Sequence, residues 1–313
     1  MRRRCFAIFV TLCLLGTSWA SVNAQAQDNK YFSETGHNVK GDFLKFYNSN
    51  SNALILYGYP ITEEFVSKDG KIVQYFQRAR FELRADLPQG QRVQLTALGR
   101  ETFVSTGDLK VNNSFACRSY AETGYAICFE FLEFFDQYGG VAQFGYPISG
   151  FEYHENKLVQ YFEKARLEWQ PWKLEGQRVV NADLGRIYFD KLDEDPGLIP
   201  PVKPLDNTTS SVIKLNVRAF TWKAVTLTTD KQSIFVIVQD QNLLPVTNAS
   251  CTTNVHWPDG RNESNALATN ANGVGVVPLS FNSQPYGSLI YADVFCTYNS
   301  LQGNTITSFR IWY

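Results

Sequence analysis

The sequence predicts an α+β pair of tandem repeats, each a short helix plus a β-hairpin, joined to an all-β sandwich. Three observations carry that reading. Residues 34–100 are echoed by residues 122–186. A proline-rich stretch follows the second copy. Beyond it, short alternating segments and turn signals recur through residue 313. The resulting units are 1–26, 27–108, 109–189, 190–208 and 209–313, within what a 313-residue chain allows.

The first unit reads as an address. Arg2, Arg3 and Arg4 precede an apolar run from Phe6 to Leu15, and Val22-Asn23-Ala24 and Ala24-Gln25-Ala26 offer small residues for cleavage. That is the pattern of a secretory signal peptide over residues 1–26. The run is too short for a comfortable membrane span. No lipobox precedes Cys13, and beyond its arginines the twin-arginine motif is missing. Removing residues 1–26 takes three Arg and no acid, leaving 26 Lys+Arg against 30 Asp+Glu, or −4. This balance excludes a polybasic nucleic-acid binder on bulk charge. No second long apolar stretch is present, so no transmembrane segment is expected in the mature chain. Cys117, Cys128, Cys251 and Cys296 remain after cleavage, and an even number in an exported chain favours disulfides. Of three connectivities, Cys117–Cys128 with Cys251–Cys296 keeps each bridge within one unit and is the expectation.

The repeats come next. Glu34-Thr35-Gly36 returns as Glu122-Thr123-Gly124, and Gly58-Tyr59-Pro60-Ile61 as Gly145-Tyr146-Pro147-Ile148. Val73-Gln74-Tyr75-Phe76 returns as Val159-Gln160-Tyr161-Phe162, and Leu98-Gly99-Arg100 as Leu184-Gly185-Arg186. The offset drifts only from 88 to 86. Phe43, Leu44, Phe46 and Tyr47 sit at helical spacing, so a short helix is expected there. The polar run Asn48–Asn52 stops it, as Gly139-Gly140 does in the second copy. Gly58-Tyr59-Pro60 reads as a rigid turn. Lys68-Asp69-Gly70 then turns a hairpin, with Glu155-Asn156-Lys157 as its weaker counterpart.

One long strand, Lys71 to Leu83, is expected after that turn. Alternation puts Val73, Tyr75, Ala79, Phe81 and Leu83 on a core face, and Gln74, Phe76, Arg78, Arg80 and Glu82 on the other. Gln160, Arg166 and Glu168 repeat that order. As a solvated face, these residues form an Arg–Glu pair that holds the hairpin. As a ligand-binding platform, Gln74, Arg80, Glu82, Gln160, Arg166 and Glu168 would hydrogen-bond a sugar or peptide. Trp169 and Trp172, around Pro171 near a strand end, are expected to be partly exposed and able to stack on a sugar. Tyr75 and Tyr161 are expected in the core.

The order Gly-Gly, Phe-Gly-Tyr-Pro-Ile, hairpin, Val-Gln-Tyr-Phe, Leu-Gly resembles the LGFP-type repeat of exported bacterial envelope proteins. Here its Leu-Gly-x-Pro core reads Tyr57-Gly58-Tyr59-Pro60 and Phe144-Gly145-Tyr146-Pro147, so an aromatic replaces Leu. The Gly-Gly step is present only in the second copy. The resemblance implies attachment to the cell envelope, often beside a catalytic domain.

Residues 190–208 carry Pro196 and then Pro200, Pro201 and Pro204, and are expected to act as a stiff spacer. From about Ser210 the pattern is all-β. Strands are expected at Val212–Phe220, Ala224–Thr228, Ser233–Val238 and Ala249–His256, then at Ala266–Thr269, Gly275–Phe281, Ser288–Tyr298 and Thr305–Tyr313. That pace over about 100 residues is the signature of an immunoglobulin-like sandwich. It is not antibody-type: Trp257 lies too close after Cys251, and Val294 stands where a tyrosine corner would be. The phrases Val236–Gln241, Leu244–Ala249 and Thr269–Gly275 resemble bacterial Ig-like domains of the invasin–intimin type. That resemblance implies a spacer or adhesive module.

Chemistry is sparse. No Gly-x-Ser-x-Gly elbow, His-Glu-x-x-His, Cys-x-x-Cys or P-loop occurs. His37, His154 and His256 fall in three units and do not make a metal site. No cofactor, metal or catalytic residue is expected. Sequons occur at Asn112, Asn207, Asn248 and Asn262. The expectation is an exported, non-enzymatic binding or adhesion protein, contacting a cell-wall polysaccharide or other glycan, or a surface protein. A structural subunit of a surface assembly and a cell-wall hydrolase with an unrecognised carboxylate site are the rivals.

Overall fold

Turn residues divide the chain into short strands, and large aromatics cover both faces of the sheets they form. The computed structural model describes residues 28–111, 114–205 and 211–312. The expected signal peptide, residues 1–26, and the sequons at Asn112 and Asn207 lie outside the described residues. It is rich in strand, arranged in several small, mainly antiparallel sheets.

Residues 28–102 open with a hairpin, β1 (Asn29–Phe32) and β2 (His37–Lys40), followed by helices α1 (Gly41–Asn48) and α2 (Ala53–Leu56). A four-stranded sheet follows in chain order: β3 (Phe65–Val66), β4 (Ile72–Tyr75), β5 (Arg80–Leu83) and β6 (Val93–Leu95). Helix α3 (Leu98–Thr102) comes next. The same order then recurs: hairpin β7 (Cys117–Ser119) and β8 (Ala126–Cys128), helices α4 (Phe129–Gln137) and α5 (Gly140–Phe144). Its sheet comprises β9 (Pro147–His154), β10 (Lys157–Phe162), β11 (Arg166–Trp169) and β12 (Val179–Asn181), and helix α6 (Leu184–Lys191) follows. Helix α1 buries Phe43, Leu44 and Tyr47, the face the spacing predicts. Asp42 in its first turn suits the helix dipole. The two Cys of the β7–β8 hairpin lie directly opposite and are bonded, and their counterparts Asn29 and Lys40 lie opposite in β1–β2.

Lys71 to Leu83 is not one strand. The Phe76 N–H donates to the Ala79 carbonyl at 2.8 Å and turns the chain back. Tyr75 therefore faces Arg80, and Gln74 faces Phe81. The turn resets the parity, so Arg80 and Glu82 share a face with Val73 and Tyr75. The second sheet does the same, with Phe162 N–H donating to Ala165 O at 2.8 Å. Between β9 and β10, Glu155 and Asn156 both take positive φ, which closes a two-residue hairpin without glycine.

Both faces of each sheet are covered, and one cover is exchanged. Phe76 and Phe81 pack under α1 and α2. Val73 and Tyr75 pack instead against Ala182, Leu184, Tyr188 and Phe189, at or near α6. In return, α3 reaches the second sheet, where the Phe103 ring lies 4.9 Å from that of Tyr161. The matching contact, Phe189 to Tyr75, is 5.3 Å. The two Leu-Gly-Arg motifs make the crossing. A Cβ on Gly99 would lie 1.7 Å from Phe162 O, and one on Gly185 would lie 1.8 Å from Phe76 O. Arg100 N–H donates to Glu163 O at 3.0 Å and Gly185 N–H to Gln77 O at 2.9 Å. Only glycine permits that approach of backbone to backbone.

After α6 the chain is tied down and is not a free spacer. A 3-10 turn at Pro196–Leu198 leads to Ile199, whose carbonyl meets His37 Nε2 at 3.0 Å. Val202 N–H donates to Gly36 O at 2.8 Å, Asn38 Nδ2 to Lys203 O at 3.1 Å, and Leu205 N–H to Asn38 Oδ1 at 3.0 Å.

All eight strands expected after residue 210 occur, with shifted ends: β13 (Asn216–Thr221), β14 (Val225–Thr226), β15 (Asp230–Gln239), β16 (Ser250–His256), β17 (Asn262–Ala268), β18 (Val274–Phe281), β19 (Leu289–Tyr298) and β20 (Leu301–Ile311). They form sheets of order β13-β15-β18 and β14-β20-β19-β16-β17. One core, including Ile234, Val236, Leu279, Val294 and Phe309, fills the space between them. Cys251 and Cys296 lie directly opposite on β16 and β19 and are bonded.

Candidate functional site

The expected ligand platform has no surface to offer. Gln74, Arg80, Glu82, Gln160, Arg166 and Glu168 are all buried. The reason is the hairpin turn, which directs Arg80 and Glu82 under α6 rather than to solvent. Gln74 Nε2 donates to Asn38 O at 2.8 Å and Thr62 O at 2.9 Å, while Gln160 Nε2 donates to Ala126 O and Ser149 O. Each glutamine ties its sheet to its opening hairpin. Arg80 is fully buried, paired with Glu82 at 2.9 Å and Asp69 at 2.7 Å, and lies over the Tyr75 and Tyr188 rings. Arg166 pairs with Glu168 and lies over Tyr161. These six residues hold the architecture. Trp169 is half-buried beneath the Arg178 guanidinium, and Trp172 is 71% exposed. Tyr75 and Tyr161 are in the core, as expected.

The histidines serve separate places. His37 contacts Ile199 O, His154 Nε2 lies 3.0 Å from Glu152, and His256 bridges Asn262 and Asp293 at 2.8 Å each. Among the described residues no cluster of three or more His, Cys, Asp or Glu is placed to hold a metal.

Two motifs far apart in sequence do converge at the surface. Glu34 of Glu-Thr-Gly lies beside Tyr59 of Gly-Tyr-Pro, and Glu122 lies beside Tyr146. Burial first, and then the Glu34 charge, raise the Tyr59 phenol; for Tyr146 the adjacent Glu122 carboxylate is the leading cause. Each tyrosine also meets an aromatic at an edge: Phe32 to Tyr59 at 6.2 Å and Tyr120 to Tyr146 at 5.9 Å. The turn glycine is essential to this placement. Gly58 has φ +72°, and a Cβ there would lie 2.7 Å from Gln77 Oε1, the atom that accepts from Tyr59 N–H.

In residues 28–102 this pair opens onto a groove of about 610 Å³ that includes Tyr31, Tyr47, Tyr59, Glu34, Asn48 and Asn50. Ile213, from beyond the proline-rich stretch, closes one side. Two hollows of about 480 and 400 Å³ continue along α1, adjoining through Lys45 and Ser49. Tyr47 is anchored by its hydroxyl to Gly58 O at 3.2 Å, and burial pushes its phenol up to about 12. The counterpart in the second sheet's half differs. Arg118 and Asp136, in the places of Lys30 and Asn48, form a two-pronged ion pair at 2.6 and 2.8 Å. Sequence reasoning noticed both motifs but not that they meet. Their joint return in the second copy was the available signal.

Comparison with known proteins adds little. No family model matches the chain, and no curated protein matches it. Among solved structures, it is similar to the alkylpurine DNA glycosylase AlkC of Pseudomonas fluorescens, at 10% identity and TM-score 0.23 over 32% of this chain and 31% of that one. It is also similar to a family 123 glycoside hydrolase from Clostridium perfringens, at 9% identity and TM-score 0.23 over 31% of this chain and 27% of that one. A CARDB domain of the PF1109 protein from Pyrococcus furiosus matches at 7% identity and TM-score 0.24, over 36% of this chain and 98% of that domain. The chain spans less than a third of the first two. Similarity this low carries no functional argument.

Proposed function

We propose that this chain is an exported, non-catalytic binding protein that holds a glycan of the cell envelope in the groove beside Tyr59. The observation that carries the reading is the groove's lining. Tyrosine rings suit the apolar faces of a sugar, and Glu34, Asn48 and Asn50 suit its hydroxyls. The pair of disulfides supports an oxidising, extracellular setting. Residues 34–100 and 122–186 act in this reading as LGFP-like tandem repeats, of which the first binds and the second buttresses it. Residues 209–313 act as an immunoglobulin-like, invasin-type module that spaces the groove from a second contact.

The test is retention of residues 27–313 on purified peptidoglycan and cell-wall polysaccharide. Tyr59→Ala removes one stacking face and should weaken retention by roughly tenfold, the equivalent of about 1.4 kcal/mol. Glu34→Gln should weaken it less. Tyr146→Ala should leave it unchanged. Failure of the unaltered protein to bind any wall polymer would sink the reading in favour of a protein partner or a self-assembling surface component.

A further inference from the structure

The end of the two-sheet body remote from the groove is unusually apolar. Three connecting segments meet there. Trp312 N–H donates to Thr226 O at 2.9 Å, Gln284 N–H to Thr228 O at 2.8 Å, and Gly287 N–H to Ile311 O at 2.9 Å. These bonds hold six large apolar side chains at one tip: Trp222 at 71% exposed, Tyr286 at 65%, Leu227 at 53%, Leu289 at 52%, Val225 at 50% and Trp312 at 41%. The Tyr286 and Trp312 rings lie 5.8 Å apart, and Trp222 reaches back to Phe235 at 6.2 Å. Isolated exposed apolar residues need no explanation, but a contiguous set rich in Trp and Tyr marks a contact surface.

The charges around the tip select its partner. Lys223 pairs with Asp230 at 2.7 Å, so the one acid in segments 222–231, 283–289 and 310–312 is neutralised. Lys231 and Arg310 are exposed and have no acid opposite them in those segments. In the neighbouring turn, Asp259 and Arg261 face each other at 3.8 Å, and Glu263 beyond it accepts from Trp257 Nε1 at 3.0 Å. The tip thus presents an apolar crown with Trp and Tyr, with the exposed cations Lys231 and Arg310 at its rim. Rings with an apolar body and a polar edge favour the boundary between headgroups and acyl chains, and lysine and arginine favour anionic headgroups.

We propose that this tip seats on an anionic lipid bilayer. Strand β15 runs from Asp230 at the tip to Gln239, beside Asn242, whose side chain reaches Ser33 near the groove. Ten residues of strand span roughly 30 Å. A seated tip therefore holds the groove about that far above the lipid.

The test uses residues 27–313 with vesicles of phosphatidylcholine containing one quarter phosphatidylglycerol, beside vesicles of phosphatidylcholine alone. Sedimentation with the anionic vesicles and a blue shift of tryptophan emission are expected. Trp222→Ser and Trp312→Ser should each lower the partition by about tenfold, the worth of one partly buried aromatic. The double change Lys231→Glu with Arg310→Glu should abolish the preference for anionic vesicles. All these positions are exposed, so unchanged circular dichroism and thermal unfolding should accompany the loss. Absence of vesicle binding by the unaltered protein overturns the proposal. So does tip-dependent dimerisation without lipid, which would make the partner a second copy. Glycan retention is measured separately with Tyr59→Ala, so failure at the tip and failure in the groove are distinguishable.

Discussion

Replacing Gly185 by alanine tests the exchange of helices between the two sheets. In an open helix this change stabilises, by up to about 1 kcal/mol, because alanine is the better helix former. Here the new Cβ would sit 1.8 Å from Phe76 O and 3.0 Å from Gln77 O, both backbone atoms that cannot rotate away. An ordinary carbon–oxygen contact is about 3.3 Å, so α6 must withdraw by roughly 1.5 Å. That breaks the Gly185 N–H bond to Gln77 O, for about 1 kcal/mol. It also loosens Leu184 and Phe189 against Tyr75, and a forced shift of this kind costs roughly 1–3 kcal/mol. Net of helix propensity, destabilisation of about 1–3 kcal/mol is expected, or roughly 2–12 °C in Tm for a unit of this size. Gly99→Ala should act alike, since its Cβ would lie 1.7 Å from Phe162 O. Urea and thermal unfolding of both variants read the effect. A neutral or stabilising outcome for either would refute the reciprocal docking, because the sign itself separates a free helix from a clamped one.

Other outcomes follow from the same contacts. Arg80→Ala leaves Glu82 and Asp69 beside an empty cavity and should cost about 3–5 kcal/mol, measured by urea unfolding. Removing Cys117–Cys128, which spans 11 residues, should cost about 3 kcal/mol, and removing Cys251–Cys296, which spans 45, about 4 kcal/mol. Reduced and oxidised protein compared by thermal unfolding would check this. Acid should destabilise the fold through Asp69, Glu152 and Glu163, whose carboxyls are held below their ordinary values of 3.8, 4.5 and 4.5. For Glu163 the Arg100 hydrogen bond is the leading cause. For Asp69 and Glu152 burial acts upward, and bonds from Arg80 and from Thr106 with His154 outweigh it. Depressed values stabilise above the ordinary range, and that stability disappears as pH falls through it. Urea midpoints should therefore hold from neutrality to about pH 5 and decline below it. A flat profile down to pH 3 would count against these pairs.

Local patterns were readable without coordinates because short-range physics decides them. The amphipathic spacing of Phe43 and Tyr47, the turn at Asp69-Gly70 and the eight alternating segments after residue 210 each carry their own signal. The disulfide pairing was readable because bridges within one unit close the shortest loops. The turn at Phe76–Ala79 was not readable: it contains neither Gly, Pro, Asn nor Asp, and alternation continues through it. That one turn moved Arg80 and Glu82 from an expected surface into the core. The meeting of Glu34 with Tyr59 depends on how the opening hairpin packs on the sheet, which no local window contains. The proline-rich stretch was legible in composition, yet its docking on β1–β2 arises from hydrogen bonds to Gly36, His37 and Asn38. The sequence by itself determined the first helix, the Asp69-Gly70 turn, the strands after residue 210, the bridges and the twofold recurrence. Tertiary structure alone decided which faces are buried, because burial depends on what arrives from elsewhere in the chain, and here each sheet is covered by the other's helix.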